Sequence, residues 1–261
     1  MNITLNNRTA LVGAATDGIG KAIALELANC GATVILVARN LEKLQNVRDQ
    51  LSTSAGQNHE ILVVDYNDYE KTVETYRLFF ESHTIDILVN NTNGPKPGDV
   101  FSSTLQDFEE AFHLLFQNTV ALTQFSLVSM QNKKFGRIIN VASSTVKEPA
   151  DHLILSNTMR TAMVSWMKSL SKALAKDNIT VNTVLTGLFD TDRLKSLLEN
   201  TAKKEKTSVE EAKNALLETL PMKRVGKPEE YGYLVAFLAS DFAGYLTGTT
   251  IPLDGGKSMY L

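Results

Sequence analysis

LVGAATDGIGKAIALELANCGA, residues 11–32, runs from a short apolar segment through Gly13, Gly18 and Gly20 into an amphipathic stretch with helical spacing. The spacing is not that of the common G-x-G-x-x-G fingerprint, but the physics is the same. Glycines lack the Cβ that would keep the backbone away from a pyrophosphate, and the helix behind them offers unpaired N–H groups and a positive dipole end. Placed between a first strand and a first helix, such a loop points to a dinucleotide. It also predicts the fold, because a strand–turn–helix opening implies more βαβ units behind it.

The rest of the chain supplies them. TALVGA (9–14), ATVILVA (32–38), EILVVD (60–65), DILVNN (86–91), RIINVAS (137–143), ITVNTVL (179–185) and GTTIPLD (248–254) read as seven strands. They are nearly continuous apolar runs, as expected of strands covered on both faces. Helical patterns at 18–30, 40–53, 68–82, 104–131, 151–176 and 228–240 alternate with them. Regular alternation predicts one doubly wound, seven-stranded parallel sheet with helices on both faces and right-handed crossovers. No linker or repeat divides the chain, so 1–261 is expected to be a single domain. One segment interrupts the pattern. Residues 190–220 read as two charged helices, the second with capping-box spacing at Ser208 and Glu211, and are expected to form a lid-like insertion. Within it, KKEK (203–206) reads as a solvated face.

The second strand should end near the adenosine ribose, where an acid would select a 2′-hydroxyl. Here LVARN places Arg39 after Ala38, with no acid. A guanidinium suits a 2′-phosphate, so NADP(H) is expected over NAD(H), although Asp17 in the loop would repel a nearby phosphate.

Bulk properties are those of a globular protein: 43% hydrophobic and 21% charged residues, with a net charge of -3. That charge gives no reason to expect a nucleic acid or an anionic membrane as partner. No apolar run spans a bilayer, and the opening MNITLNNRTA has no secretory pattern. The single cysteine, Cys30, cannot form an internal disulfide. A cytoplasmic protein acting on a small molecule, with no metal site, is the expectation.

Ordered motifs along the chain resemble the short-chain dehydrogenase/reductase family, in particular its 3-oxoacyl-carrier-protein-reductase-like branch. GAATDGIG (13–20) is similar to the family's TGxxxGIG loop, with Gly13 in place of Thr and Ala14 at the first glycine. DILVNNTNG (86–94) resembles its NNAG stretch, GRIINVASS (136–144) its serine segment, and VNTVLTGLFDTD (181–192) its VNxVxPGxxxT, with Thr186 at the proline. The resemblance assigns Gly13, Thr16, Asp17, Gly18, Ile19 and Gly20 to the cofactor phosphates and Asp65 to the adenine. It assigns Asn91 to the floor under the cofactor, and Gly187, Phe189 and Thr191 to its nicotinamide end. Ser143 falls on the catalytic serine and Asn118, in FQNTV, on the helix asparagine of a water relay. Plainer roles stay open: Asp65 could cap a turn, Asn91 could steady a loop, and Asn118 could be a satisfied helix residue. The resemblance also implies a homodimer or homotetramer.

The sequence departs from the family at its reactive pair. LSNTMRTAMVSWM (155–167) holds Ser156 and Arg160 where the family has tyrosine and, four residues on, lysine. The spacing keeps both on one helix face, but an aliphatic hydroxyl is a far weaker acid than a phenol whose pKa a cation lowers. Arg160 can still hold ribose hydroxyls, yet it stays protonated. His152 or Tyr260, the latter from a neighbouring subunit, could supply another acid. Two functions remain: an NADP(H)-dependent oxidoreductase of ketones or secondary alcohols with a modified proton route, or a catalytically impaired NADP(H)-binding sensor or assembly subunit.

Overall fold

The computed structural model describes residues 2–260; Met1 and Leu261, the ends of the expected domain, lie outside the described residues. All strand pairings in it are parallel: β1 (Thr9–Gly13), β2 (Thr33–Ala38), β3 (Glu60–Val63), β4 (Ile87–Asn90), β5 (Gly136–Ser143), β6 (Ile179–Thr186) and β7 (Thr250–Leu253) form one sheet in the order β3-β2-β1-β4-β5-β6-β7. Two buried clusters explain why the strands read as unbroken apolar runs. Ala10, Val12, Val34, Leu36, Ile87 and Val89 belong to one, and the alternate residues Leu11, Ile35, Val37 and Leu88 to the other. A strand covered on both faces has no polar side to reveal its period.

Helices α1 (Gly18–Asn29), α2 (Leu41–Arg48) and α9 (Pro228–Ala239) contribute to the first cluster. Helices α3 (Tyr69–Phe80), α5 (Asn118–Lys133) and α6 (Ile154–Leu174) contribute to the second. The single helix expected over 104–131 is instead α4 (Leu105–Ala111), a π-helical turn at Phe112–Gln117, and α5. The His113 carbonyl accepts both the Asn118 backbone N–H, the wide bond of the π turn, and the Asn118 side chain at 2.8 Å. Two other helices are shorter than expected. The second stops at Arg48, and α6 starts at Ile154 because Leu153 is drawn into a bridge with Gly98.

The 190–220 segment holds α7 (Asp192–Glu205) and α8 (Val209–Glu218), the latter with the expected Ser208–Glu211 capping box. Both helices turn their apolar residues onto a small cluster of their own: Leu194, Leu198, Ala202 and Ala212. The excursion is rooted by a bridge between Phe189 and Gly226, with Asp190 N–H donating to the Gly226 carbonyl and Gly226 N–H to that of Leu188, each at 2.9 Å.

Strand order reverses between β2-β1 and β4-β5, so β1 has parallel partners on both sides. Crossovers on either side of that point leave the sheet in opposite directions and open a crevice at the carboxyl ends of β1 and β4. Gly13 and Asn91 stand at that edge.

Candidate active site

The loop after β1 is tightly determined. Ala14, at the family's first glycine, has φ 45°, a left-handed backbone that favours glycine. A Cβ on Gly20 would lie 2.2 Å from the Ala14 carbonyl oxygen, and one on Gly13 would lie 2.2 Å from that of Asn91 and 2.9 Å from the Tyr66 hydroxyl. Neither position has room for a side chain. Asn91 Nδ2 donates to the Gly13 carbonyl at 3.1 Å, clasping the ends of β1 and β4. Asp17 is the N-cap of α1, its carboxylate accepting from Gly18 N–H at 2.7 Å. The positive end of the helix therefore partly offsets the charge of the acid that sequence sets against a phosphate.

A cleft of about 440 Å³ opens from this loop and is lined by Ala14, Thr16, Asp17, Arg39, Asn40, Lys43, Asp65 and Asn93, among others. Arg39 and Lys43 are exposed cations at its far end, where β2 gives way to α2. Asp65 is exposed, and its carboxylate accepts from Asn67 N–H at 3.1 Å and Asn67 Nδ2 at 2.9 Å. Its turn-forming role is thus realised on the cleft wall itself.

On the other side of the switch point lies the altered pair. Ser156 is 8% exposed, and its Oγ accepts from Arg160 Nε at 3.2 Å. Arg160 Nη1 donates to the Val141 carbonyl at 2.9 Å. Burial, reinforced by repulsion from Arg193, pulls the Arg160 guanidinium down to about 10, so it stays charged at neutral pH. Ser143, at the end of β5, accepts at Oγ from Thr145 N–H at 3.2 Å and Thr145 Oγ1 at 3.0 Å, leaving its own proton to donate elsewhere. Asn118 is buried, with Nδ2 donating to the carbonyls of Tyr66 and His113 at 2.8 Å each. Its Oδ1 is buried with no protein partner, an unmet acceptor that a water would satisfy.

Other expected residues fall differently. Thr191 is the N-cap of α7, and its methyl group faces Gly18, where a Cβ would lie 3.0 Å away. Gly187 is pressed against β7: its N–H donates to the Leu253 carbonyl at 3.0 Å, and a Cβ would sit 2.4 Å from the Asp254 Cα. Phe189 lies in the core. Its side chain is 5% exposed and packs into the core against Gly226 and edge-on to Tyr231, with ring centroids 5.4 Å apart. His152 is exposed in the turn before α6. Tyr260 sits over its own chain, its ring 5.8 Å from Lys147 Nζ and its hydroxyl buried without a partner.

Sequence reading missed several residues here. Lys43, in the first turn of α2, lines the same cleft as Arg39. Tyr66 lies beneath Gly13. Fully buried Tyr231 holds its hydroxyl 3.1 Å from Thr186 Oγ1, the residue at the family's proline, and burial raises that phenol well above the usual range. Arg193 reaches the site from α7.

A doubly wound sheet with a glycine-lined crevice at its switch point defines a dinucleotide-binding α/β protein. A family model described as enoyl-(acyl carrier protein) reductase matches residues 13–258. The NADPH-dependent reductase BacG of Bacillus subtilis is 34% identical, with 97% of this chain and 98% of that protein covered. The 3-oxoacyl-[acyl-carrier-protein] reductase FabG of Aquifex aeolicus is 32% identical over 98% of this chain and 99% of its own. The crystal structure of L-sorbose reductase from Gluconobacter frateurii, complexed with NADPH and L-sorbose, superposes with a TM-score of 0.93 at 26% identity, covering 100% of both chains. The chain belongs to the short-chain dehydrogenase/reductase family.

Proposed function

We propose that this protein is an NADP(H)-dependent oxidoreductase that reduces a small carbonyl compound, 3-oxoacyl thioesters included, without a tyrosine proton donor. The observation that carries the proposal is the cradle after β1. Gly13 and Gly20 leave no space for a Cβ, and α1 begins directly behind them. That fits a pyrophosphate lying on Gly13, Thr16, Asp17, Gly18, Ile19 and Gly20. Arg39, joined by Lys43, gives two cations for a 2′-phosphate, and Asp65 with Asn67 forms the wall for an adenine. Asn91 is the floor, Arg160 reaches the ribose hydroxyls, and Gly187, the Phe189 backbone and Thr191 border the nicotinamide. The bound dinucleotide supplies the hydride.

The chain's own groups position and polarise. Ser143 donates a hydrogen bond through its free hydroxyl proton to the substrate oxygen, where negative charge develops. Asn118 Oδ1 holds a water, since it is buried with an unmet acceptor. Arg160 stays charged and places positive potential beside Ser156, whose short hydroxyl hands over no proton near neutrality. The proton then comes from water. Losing a positioned acid lowers a rate about 10²–10⁴-fold while orientation and charge stabilisation persist.

The same gap favours a second substrate class. A conjugated enoyl group takes hydride at its β-carbon, its carbonyl spreads the resulting charge, and water protonates the α-carbon. Weak acid assistance matters less there, and the matching family model is described as an enoyl reductase. The alternative of a nucleotide-binding sensor has only the altered pair behind it and gives way to the oxidoreductase. We further propose that the whole chain works as one domain with 190–220 as its lid, supported by the narrow Phe189–Gly226 root. A homodimer or homotetramer in the cytoplasm completes the proposal, supported by the exposed Phe112 and Val128 on the α4–α5 rod.

The test is fluorescence titration with NADPH and NADH, followed by NADPH oxidation against ketones, 3-oxoacyl thioesters and 2-enoyl thioesters. Tighter NADPH uptake and turnover of at least one substrate class are expected. No saturable uptake of either nucleotide would overturn the proposal.

A further inference from the structure

Arg193, in the first turn of α7, extends across the mouth of the cleft. Its guanidinium lies on Gly94 in the loop after β4, where a Cβ would meet Nη1 at 2.5 Å and Nη2 at 2.9 Å. Two residues earlier, Thr191 touches Gly18 of the phosphate loop. The start of α7 thus bridges both lips of the crevice, one through a methyl group and the other through a cation. That cation is not neutralised: among the described residues neither Arg193 nor Arg160 has a carboxylate within ion-pair distance, whereas four other arginines (Arg48, Arg77, Arg137 and Arg224) do. The nearby acids are engaged elsewhere. Asp192 is held by Lys195 at 2.9 Å, and Asp17 accepts from Gly18 N–H.

Arg160 is the second cation of the same region, fixed by Val141 and Ser156. Both guanidiniums flank the loop after β4: Arg160 lines a small cavity with Asn90 and Thr92, and Arg193 lies on Gly94 two residues further on. Two like charges facing a cleft without a counter-ion repel each other, and an anion between them relieves the repulsion. Each guanidinium presents a planar fork that matches phosphate and carboxylate geometry.

We propose that Arg193 and Arg160 form an anion site across the cleft, filled by a phosphate of the dinucleotide or by a carboxylate on the substrate. The site deepens the proposed function and rests on that reading of the cleft. Gly94 is part of it, because any side chain there would displace the Arg193 guanidinium. An anion bound in this way also ties α7 to the β4 loop, joining occupancy of the crevice to closure of the segment above it.

The experiment compares the native chain with Arg193→Gln and Arg193→Lys. Calorimetric titration uses NADPH and adenosine 2′,5′-bisphosphate, which lacks the pyrophosphate link. Kinetics use a 2-oxo acid and its amide. If the cofactor supplies the anion, Arg193→Gln weakens NADPH about tenfold or more and leaves the bisphosphate unchanged. If the substrate supplies it, KM for the acid rises about tenfold, while KM for the amide and NADPH affinity hold. Arg193→Lys retains part of either effect, since the charge stays and the fork is lost. Unchanged NADPH affinity together with unchanged KM values overturns the anion site, as does equal weakening of NADPH and the bisphosphate. Should the native chain take up no nucleotide, the proposed function falls on its own. The anion site is then read from the thermal shift with inorganic pyrophosphate: loss of the shift in Arg193→Gln supports it, and equal shifts refute it.

Discussion

Replacing Arg160 by methionine separates what this cation does for the fold from what it does for the site. Burial and Arg193 lower Arg160 from the ordinary arginine range to about 10, which disfavours its charged form in the fold by about 3 kcal/mol at most. The penalty is complete below pH 10 and fades only above it, because the folded chain gives up this proton before the unfolded chain does. Against it stand two hydrogen bonds, to the Val141 carbonyl and Ser156 Oγ. Leaving the Val141 oxygen unpaired costs about 1–3 kcal/mol. Methionine keeps most of the apolar volume, so the two effects nearly cancel. Arg160→Met should therefore melt within about 3 °C of the native protein at pH 7. Raising the pH through 10 should shift the balance towards the native chain. NADPH affinity, by contrast, should fall about tenfold with the loss of a charged ribose donor. Chemical denaturation and fluorescence titration on one preparation measure both. A loss of more than about 3 kcal/mol with nucleotide affinity intact would refute the reasoning and make Arg160 a structural residue.

The same structure sets three further outcomes. Gly20→Ala puts a Cβ 2.2 Å from the Ala14 oxygen and 2.9 Å from Asn91 Nδ2. Stability should drop about 1–3 kcal/mol and nucleotide affinity about 100-fold, checked by thermal melting and NADPH titration. The double change Ser156→Tyr with Arg160→Lys should raise turnover of saturated ketones by about 10²-fold and leave enoyl reduction little changed; a fall on ketones would mean another proton route already operates. Arg224 holds the Glu230 carboxyl down to about 2, and the Ser208 N–H with the Thr207 hydroxyl does the same for Glu211. Both groups support the fold above the ordinary carboxylate range and lose that support as pH falls towards 2. Circular dichroism should show helix loss in that acid window, and Glu230→Gln should flatten the response.

The sheet was legible because its strands are buried on both faces, which leaves continuous β-branched runs that a helix of that length rarely shows. The crevice was legible because a loop that admits no Cβ must use glycine. Other features depend on residues distant in sequence. Nothing local in FHLLFQ marks a π-helical turn, which becomes visible only when the His113 carbonyl is seen bonded to Asn118. Phe189 sits in a segment that resembles a cofactor motif, but Gly226 opens a core slot that takes its ring. Arg193 belongs to a segment that reads only as charged and helical, and its place over the cleft follows from Gly94 on another strand's loop. Ala14 carries the opposite lesson. It departs from the family's glycine and still adopts the left-handed backbone, because the surrounding loop dictates it.

The first helix of this chain leans on its last. Gly232 of α9 brings that helix so close to α1 that a Cβ would lie 2.9 Å from the Ala22 carbonyl oxygen, and Tyr231 and Val235 share a core with Ile23 and Ala24. During synthesis the glycine loop therefore emerges well ahead of α9 and lacks its buttress until that helix leaves the ribosome. Capture of a dinucleotide is thereby deferred until α9 has been made, and a chain cut short before α9 should gain no protection from added nucleotide.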